Sequence, residues 1–112
     1  MSGPASQRPT GIWDLVDRAL DLDGATRIHL SIGRPPMVRL ADRSLRPLDE
    51  TMPPLTYQTV QFMLSQVVEP ERWEGFERTG EGEIQLAEGG GGRRISLALF
   101  RSSEAWSAVI HL

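Results

Sequence analysis

Apolar and polar residues alternate along this chain in two periods, and the change from one to the other marks its elements. Between Ile12 and Leu22, the residues Ile12, Leu15, Val16, Ala19 and Leu20 recur at helical steps, which gathers their side chains on one face of an amphipathic helix. Gly24 stands just past it, where a helix end favours a residue free to take positive φ. The period then shortens to two. Ile28, Leu30 and Ile32 alternate with Arg27, His29 and Ser31, the pattern of a half-buried strand. Gly33 to Pro36 turns the chain, Met37 to Ala41 predicts a second strand, and Asp42 with Arg43 predicts a tight turn. Ser44 to Leu48 is a short third strand, and Pro47 places it at an edge or ends it because proline brings no backbone donor.

After the Pro53-Pro54 break the helical period returns. Thr56 is placed to cap a helix that buries Val60, Met63, Leu64, Val67 and Val68. Pro70 opens a further short helix at its first turn, where a missing donor costs nothing. Trp73 and Phe76 share its inner face, and Gly80 stops it. Glu83 to Ala87, Arg94 to Arg101 and Ala105 to Leu112 then predict three strands joined by hairpins. The sum is an α+β domain with a largely antiparallel sheet of five to six strands and helices packed on one face. Met1 to Gly11 has the composition of a flexible tail, leaving 12–112 as one domain.

Length and charge narrow the partners. A chain of 112 residues is one domain's worth. With 12 basic and 15 acidic residues the net charge is -3, and the basic residues are scattered, which disfavours nucleic acid. No cysteine is present, in keeping with a cytoplasmic setting. The first residues lack the basic and apolar regions of a secretory signal, and no apolar run approaches the roughly 20 residues that span a bilayer.

Little in the sequence points to catalysis. The run Gly89 to Gly92 lacks the following Lys and hydroxyl residue of a phosphate-binding loop, because Arg93, Arg94 and a strand come next. It predicts a hairpin loop. His29 and His111 each sit within a strand without metal-ligand spacing, and no GxSxG elbow occurs. Glu69 with Glu71, and Glu81 with Glu83, have the look of solvated faces. No cofactor and no enzymatic activity are expected. Trp73 suits the core, whereas Trp106 belongs to the core only if Trp106, Ala108 and Ile110 face inward; if Ala105, Ser107 and Val109 do, it is a surface contact. Arg34 and Arg39 flank the Gly-Arg-Pro-Pro-Met turn and could meet an anion, although a solvated turn is the default.

The stretch Ala25 to Leu48 resembles the N-terminal, PAS-like domain of the type IV pilus retraction ATPases, the PilT-like branch of the secretion and pilus motors. Ala25, Ile28, His29, Leu30, Gly33, Pro35, Pro36, Met37 and Arg39 stand at the motif's places. Leu45, Pro47, Leu48, Leu55, Thr56, Arg72, Phe76 and Glu77 follow its continuation, so the resemblance spans about residues 12 to 112. Three departures matter. Arg27 stands where the family usually has Asp. Ser96 and His111 stand where the resemblance places two arginines that act on phosphate charge across a subunit boundary, and neither supplies a permanent guanidinium.

The resemblance therefore implies a stand-alone, non-catalytic domain acting in the cytoplasm as an interaction or regulatory protein of pilus and twitching machinery. Its expected partner is a motor ATPase or another pilus component, and its candidate contact surface is Arg34, Arg39, Trp106 and His111. A homodimer is the other expected association, through a last strand exposed at a sheet edge. Two alternatives stay open. One is a PAS-like sensor whose pocket is lined by Met37, Phe62, Met63 and Trp106; the other is an excised N-terminal fragment of a motor.

Overall fold

In a computed structural model, which describes residues 11–86, 95–102 and 105–112, helices and one antiparallel sheet follow the predicted order. Helix α1 (Ile12–Leu20) leads to β1 (Ala25–Leu30), β2 (Met37–Leu40) and β3 (Leu45–Pro47). Helices α2 (Tyr57–Ser65) and α3 (Pro70–Thr79) come next, then β4 (Glu81–Leu86), β5 (Ile95–Ser102) and β6 (Ala105–His111). The tail and the Gly89–Gly92 hairpin expected from sequence lie outside the described residues, as do Arg93 and Arg94.

Local chemistry accounts for the element ends. The Asp14 carboxylate accepts from the Gly11 N–H at 3.3 Å, and Gln66 Oε1 accepts from the Ile12 N–H at 3.0 Å. The start of α1 is thus satisfied partly by a side chain beyond the end of α2, a link no local pattern reveals. Thr56 caps α2 as expected, its hydroxyl accepting from the Thr59 N–H at 3.2 Å. Gly80 ends α3 at φ 81°, and its N–H donates to the Phe76 carbonyl at 2.7 Å. The turn at Asp42 and Arg43 puts Arg43 at φ 72°, while Asp42 Oδ1 accepts from the Ser44 N–H at 2.9 Å.

The sheet runs β3-β2-β1-β6-β5-β4, with every neighbouring pair antiparallel. Short, proline-ended β3 lies at one edge, as Pro47 predicts, and β4 lies at the other. The last strand does not. β6 sits between β1 and β5, with both backbone edges paired, so a homodimer by edge pairing of β6 is ruled out. Sequence order misled here because β1 and β6, some 80 residues apart, are brought together by long-range packing.

One face of the sheet is buried and the other is not. Ile28, Leu30, Val38, Ile84, Leu86, Ile95, Leu97, Leu99, Trp106, Ala108 and Ile110 point into the core, where Ile12, Leu15, Val16 and Ala19 of α1 and Val60, Met63 and Leu64 of α2 meet them. Trp106 is only 4% exposed and packs on Trp73 of α3 with ring centroids 5.1 Å apart. That settles the choice left open by the sequence: Trp106 is core, and it leaves the candidate contact surface. Leu20, at the end of the predicted apolar helix face, is instead 40% exposed.

Helix α3 reaches the sheet through Phe76, whose ring lies on Gly82 of β4. A Cβ at Gly82 would stand 2.3 Å from a Phe76 ring carbon, whereas one at Gly75, within α3, would meet nothing within 4 Å. Gly82→Ala is expected to cost about 1–3 kcal/mol through overpacking. Gly75→Ala is expected to stabilise the chain by about 0.5–1 kcal/mol, because alanine loses less backbone freedom in a helix. Urea denaturation of the two variants measures both changes, which carry opposite signs.

Candidate functional site

Because strand side chains alternate, the residues between the core positions all project from the opposite face. These are Arg27 and His29 on β1, Met37 and Arg39 on β2, Glu81, Glu83 and Gln85 on β4, Ser96, Ala98 and Phe100 on β5, and Ser107, Val109 and His111 on β6. None of them is buried, and no described element lies over them. Among the described residues, the sheet is therefore covered on one side by helices and open on the other.

Register sets these side chains in rows across the strands. Arg27 pairs with His111, and His111 pairs with Ser96, which in turn faces Gln85. The three departures from the pilus-motor pattern, at 27, 96 and 111, thus fall side by side in one row of the open face. Arg39 extends it, opposite Arg27. A second row runs His29, Val109, Ala98, Glu83, and a third runs Ser107, Phe100, Glu81.

Charge is sorted along these rows. The β2-β1-β6 side carries Arg39, Arg27, His29 and His111, with Arg43 at the adjoining turn, and a shallow hollow there is lined by Thr26, Arg27, His29, Arg39 and Arg43. The β4 edge carries Glu81 and Glu83. The only ion pair among the described residues lies elsewhere, between Arg18 of α1 and Asp49 after β3, at 2.5 Å. Arg39 is steadied by donating from Nη1 to the Arg43 carbonyl at 2.9 Å. Arg39 is held in this way, and no carboxylate is among the described residues that line the hollow.

The expected contact residues separate. Arg39 and His111 share the open face; Arg34 lies exposed in the β1–β2 turn, in the loop where its carbonyl accepts from the Leu55 N–H at 2.8 Å. Glu81, Glu83 and His29 belong to the open face although sequence gave them no such role. Period-two alternation was the signal for their facing; which strands flank them was not visible in it. The proposed sensor lining does not converge: Met63 and Trp106 are buried under the helices, Met37 projects from the other side of the sheet, and Phe62 is 40% exposed. A groove of about 270 Å³ does lie between α2 and α3, lined by Gln61, Ser65, Val68, Pro70 and Trp73, but it includes none of those four.

His29 is the strained group of this face. Its Nε2 is buried without a hydrogen-bond partner. Burial lowers its pKa from the ordinary 6.5, and the positive fields of Arg39, Arg27 and His111 lower it further. Folded His29 therefore takes up a proton less readily than the unfolded chain does. Its stabilisation is present above the ordinary value and is lost as pH falls from there through the lowered folded pKa. Asp42 and Asp49, held below the ordinary carboxylate range by hydrogen bonds from Ser44 and Thr51, act only at more acid pH. The thermal midpoint is expected to fall as pH drops below 6.5, and His29→Gln is expected to flatten that fall while leaving the later, carboxylate-driven loss in place. Thermal melts of both proteins across pH measure this.

No protein-family model matches the chain, and no curated protein matches it. Solved structures do. A structure of the pilus retraction motor PilT with bound ADP superposes with a TM-score of 0.79 at 24% identity, over 92% of this chain and 29% of that one. The ATPase DotB of Legionella pneumophila superposes with a TM-score of 0.63 at 14% identity, over 94% and 30% of the two chains. DotB of Yersinia pseudotuberculosis gives 0.52 at 10% identity, over 89% and 28%. The chain spans less than a third of the length of these ATPases, and across that span it has the fold of the N-terminal domain of PilT-like motors.

Proposed function

We propose that this domain is a non-catalytic interaction module of the type IV pilus machinery, acting in the cytoplasm and binding a motor ATPase or a component that works with one. The observation that carries this is the row Arg27, His111, Ser96 on the open face. The fold is that of the N-terminal domain of a motor, yet the two positions that the family resemblance assigns to phosphate-stabilising arginines hold His and Ser. Neither side chain supplies a permanently charged guanidinium fork. Positions 96 and 111 therefore lack the groups that the resemblance assigns to a neighbour's nucleotide site, whereas the sorted charges and small apolar side chains of the face suit protein contact.

The 112 residues also contain no GxxxxGK[ST] sequence. Hydrolysis would need backbone donors, an ammonium group and a magnesium ligand brought together on the phosphates, and no segment of this sequence has that pattern. No helix among the described residues is long and apolar enough to cross a membrane.

Affinity capture with purified retraction and extension ATPases, at low and moderate ionic strength, tests the proposal. Recovery of a motor is expected, together with no ATP hydrolysis by the domain alone. Failure to recover any motor at either ionic strength would overturn the binding role, and turnover of ATP by the domain would overturn its non-catalytic character.

A further inference from the structure

The open face is built to match itself. We propose that two copies of this chain stack through their open sheet faces about a two-fold axis that runs parallel to the strands, between β5 and β6. The pairing uses the face assigned above to motor contact and would compete with that contact, and the chain alone tests it.

Turning one sheet over about that axis lays β6 on β5 of the second copy and β1 on its β4. The rows then meet one another in order. In the row His29, Val109, Ala98, Glu83, His29 falls over the second copy's Glu83 and Val109 over its Ala98. In the row Ser107, Phe100, Glu81, Ser107 falls over Phe100. In the row Arg27, His111, Ser96, Gln85, His111 falls over Ser96 and Arg27 over Gln85, one row from Glu83. Val109 meets the smaller Ala98 and Phe100 the smaller Ser107, as interdigitating layers require, while His29 meets a carboxylate, Arg27 an amide and His111 a hydroxyl. The two-fold repeats every contact, so the interface is self-complementary.

Three further observations favour a second copy as the occupant. First, Phe100 is 43% exposed and Val109, Ala98 and Met37 are half-exposed, a set of apolar side chains on a face that no described element covers. Second, the cationic and acidic ends do not neutralise each other within one chain. β1 and β4 are three strand steps apart, about 14 Å at the usual strand spacing, which exceeds the Debye length of roughly 8 Å at physiological ionic strength. Stacking brings opposite ends to about the 10 Å separation of packed sheets, and long arginine and glutamate side chains close the rest. Third, the four strands that overlap, β1, β6, β5 and β4, present a projected face on the order of 400 Å² from strand spacing and rise, the size of a weak, reversible contact rather than of the roughly 800 Å² per partner in a standard interface.

Charge reversal tests the arrangement. Arg27 and Glu83 are both exposed, and neither side chain makes a hydrogen bond or ion pair among the described residues, so Arg27→Glu and Glu83→Lys leave the fold intact, which circular dichroism checks. By sedimentation velocity at low ionic strength the unaltered chain is expected to dimerise, and added salt to weaken the dimer. Each variant alone is expected to dimerise at least about tenfold more weakly, because like charges then face each other. An equimolar mixture of the two is expected to recover association, since each copy supplies the charge its partner lacks. A monomer at millimolar concentration in low salt would overturn the proposal. So would variants that dimerise as well as the parent, or a mixture of folded variants that stays monomeric.

Discussion

Ile28, Ile110 and Leu97 stand side by side across β1, β6 and β5, all three fully buried, and the helices can cover them only from one side. That one-sided burial governs the rest of the molecule. Each of these side chains contributes about 1.5–3 kcal/mol by leaving water, so the register that turns all of them inward is strongly fixed, and a slip by one residue would expose the whole set. The same register that places Ile110 in the core leaves Val109 and His111 outside. The composition of the open face is thus a consequence of how the core is made, and its rows inherit the precision of the core.

The covering helices are fitted to that face by particular side chains. Phe76 lies on Gly82, where no Cβ intervenes. Trp73 packs on Trp106, and the Arg101 guanidinium lies 5.7 Å from the Trp106 ring centroid, closing the end of the core beside α3. Gln66 ties the far end of α2 to the start of α1. Helices held this way give the sheet a rigid back, so that side chains on its front keep fixed spacings, which is what a recognition surface needs.

Much of this was legible in the sequence, for local reasons. Thr56, Pro70 and Gly80 announce helix ends through their own hydrogen-bonding and φ preferences, and alternation in β1 announces a one-sided strand. What was not legible depended on distant pairing. The last strand, read as an edge, is central, because adjacency to β1 is decided by packing and not by any residue within β6. Trp106 was ambiguous because the uncovered sheet face carries Val109, an apolar residue, as well as Ser107, which blurs the alternation. Positions 27, 96 and 111 could each be recognised as departures from the motor pattern, but their meeting in one row follows only from the pairing of β1, β6 and β5. Glu83 looked like an ordinary solvated carboxylate until the sheet order set it at the far end of the His29 row.

The account comes down to which face of the sheet meets other proteins. The fold matches the N-terminal part of motor ATPases, and the open face carries Arg27 on β1, His111 and Ser96 on β6 and β5, and carboxylates along β4. A concentration series of methyl NMR spectra separates the two sides of the sheet most directly. The account predicts that the Met37, Ala98 and Val109 methyl signals shift with concentration while those of Ile28, Leu97 and Ile110 stay fixed. Shifts confined to methyl groups of the helices, with the open-face signals unchanged, would contradict it.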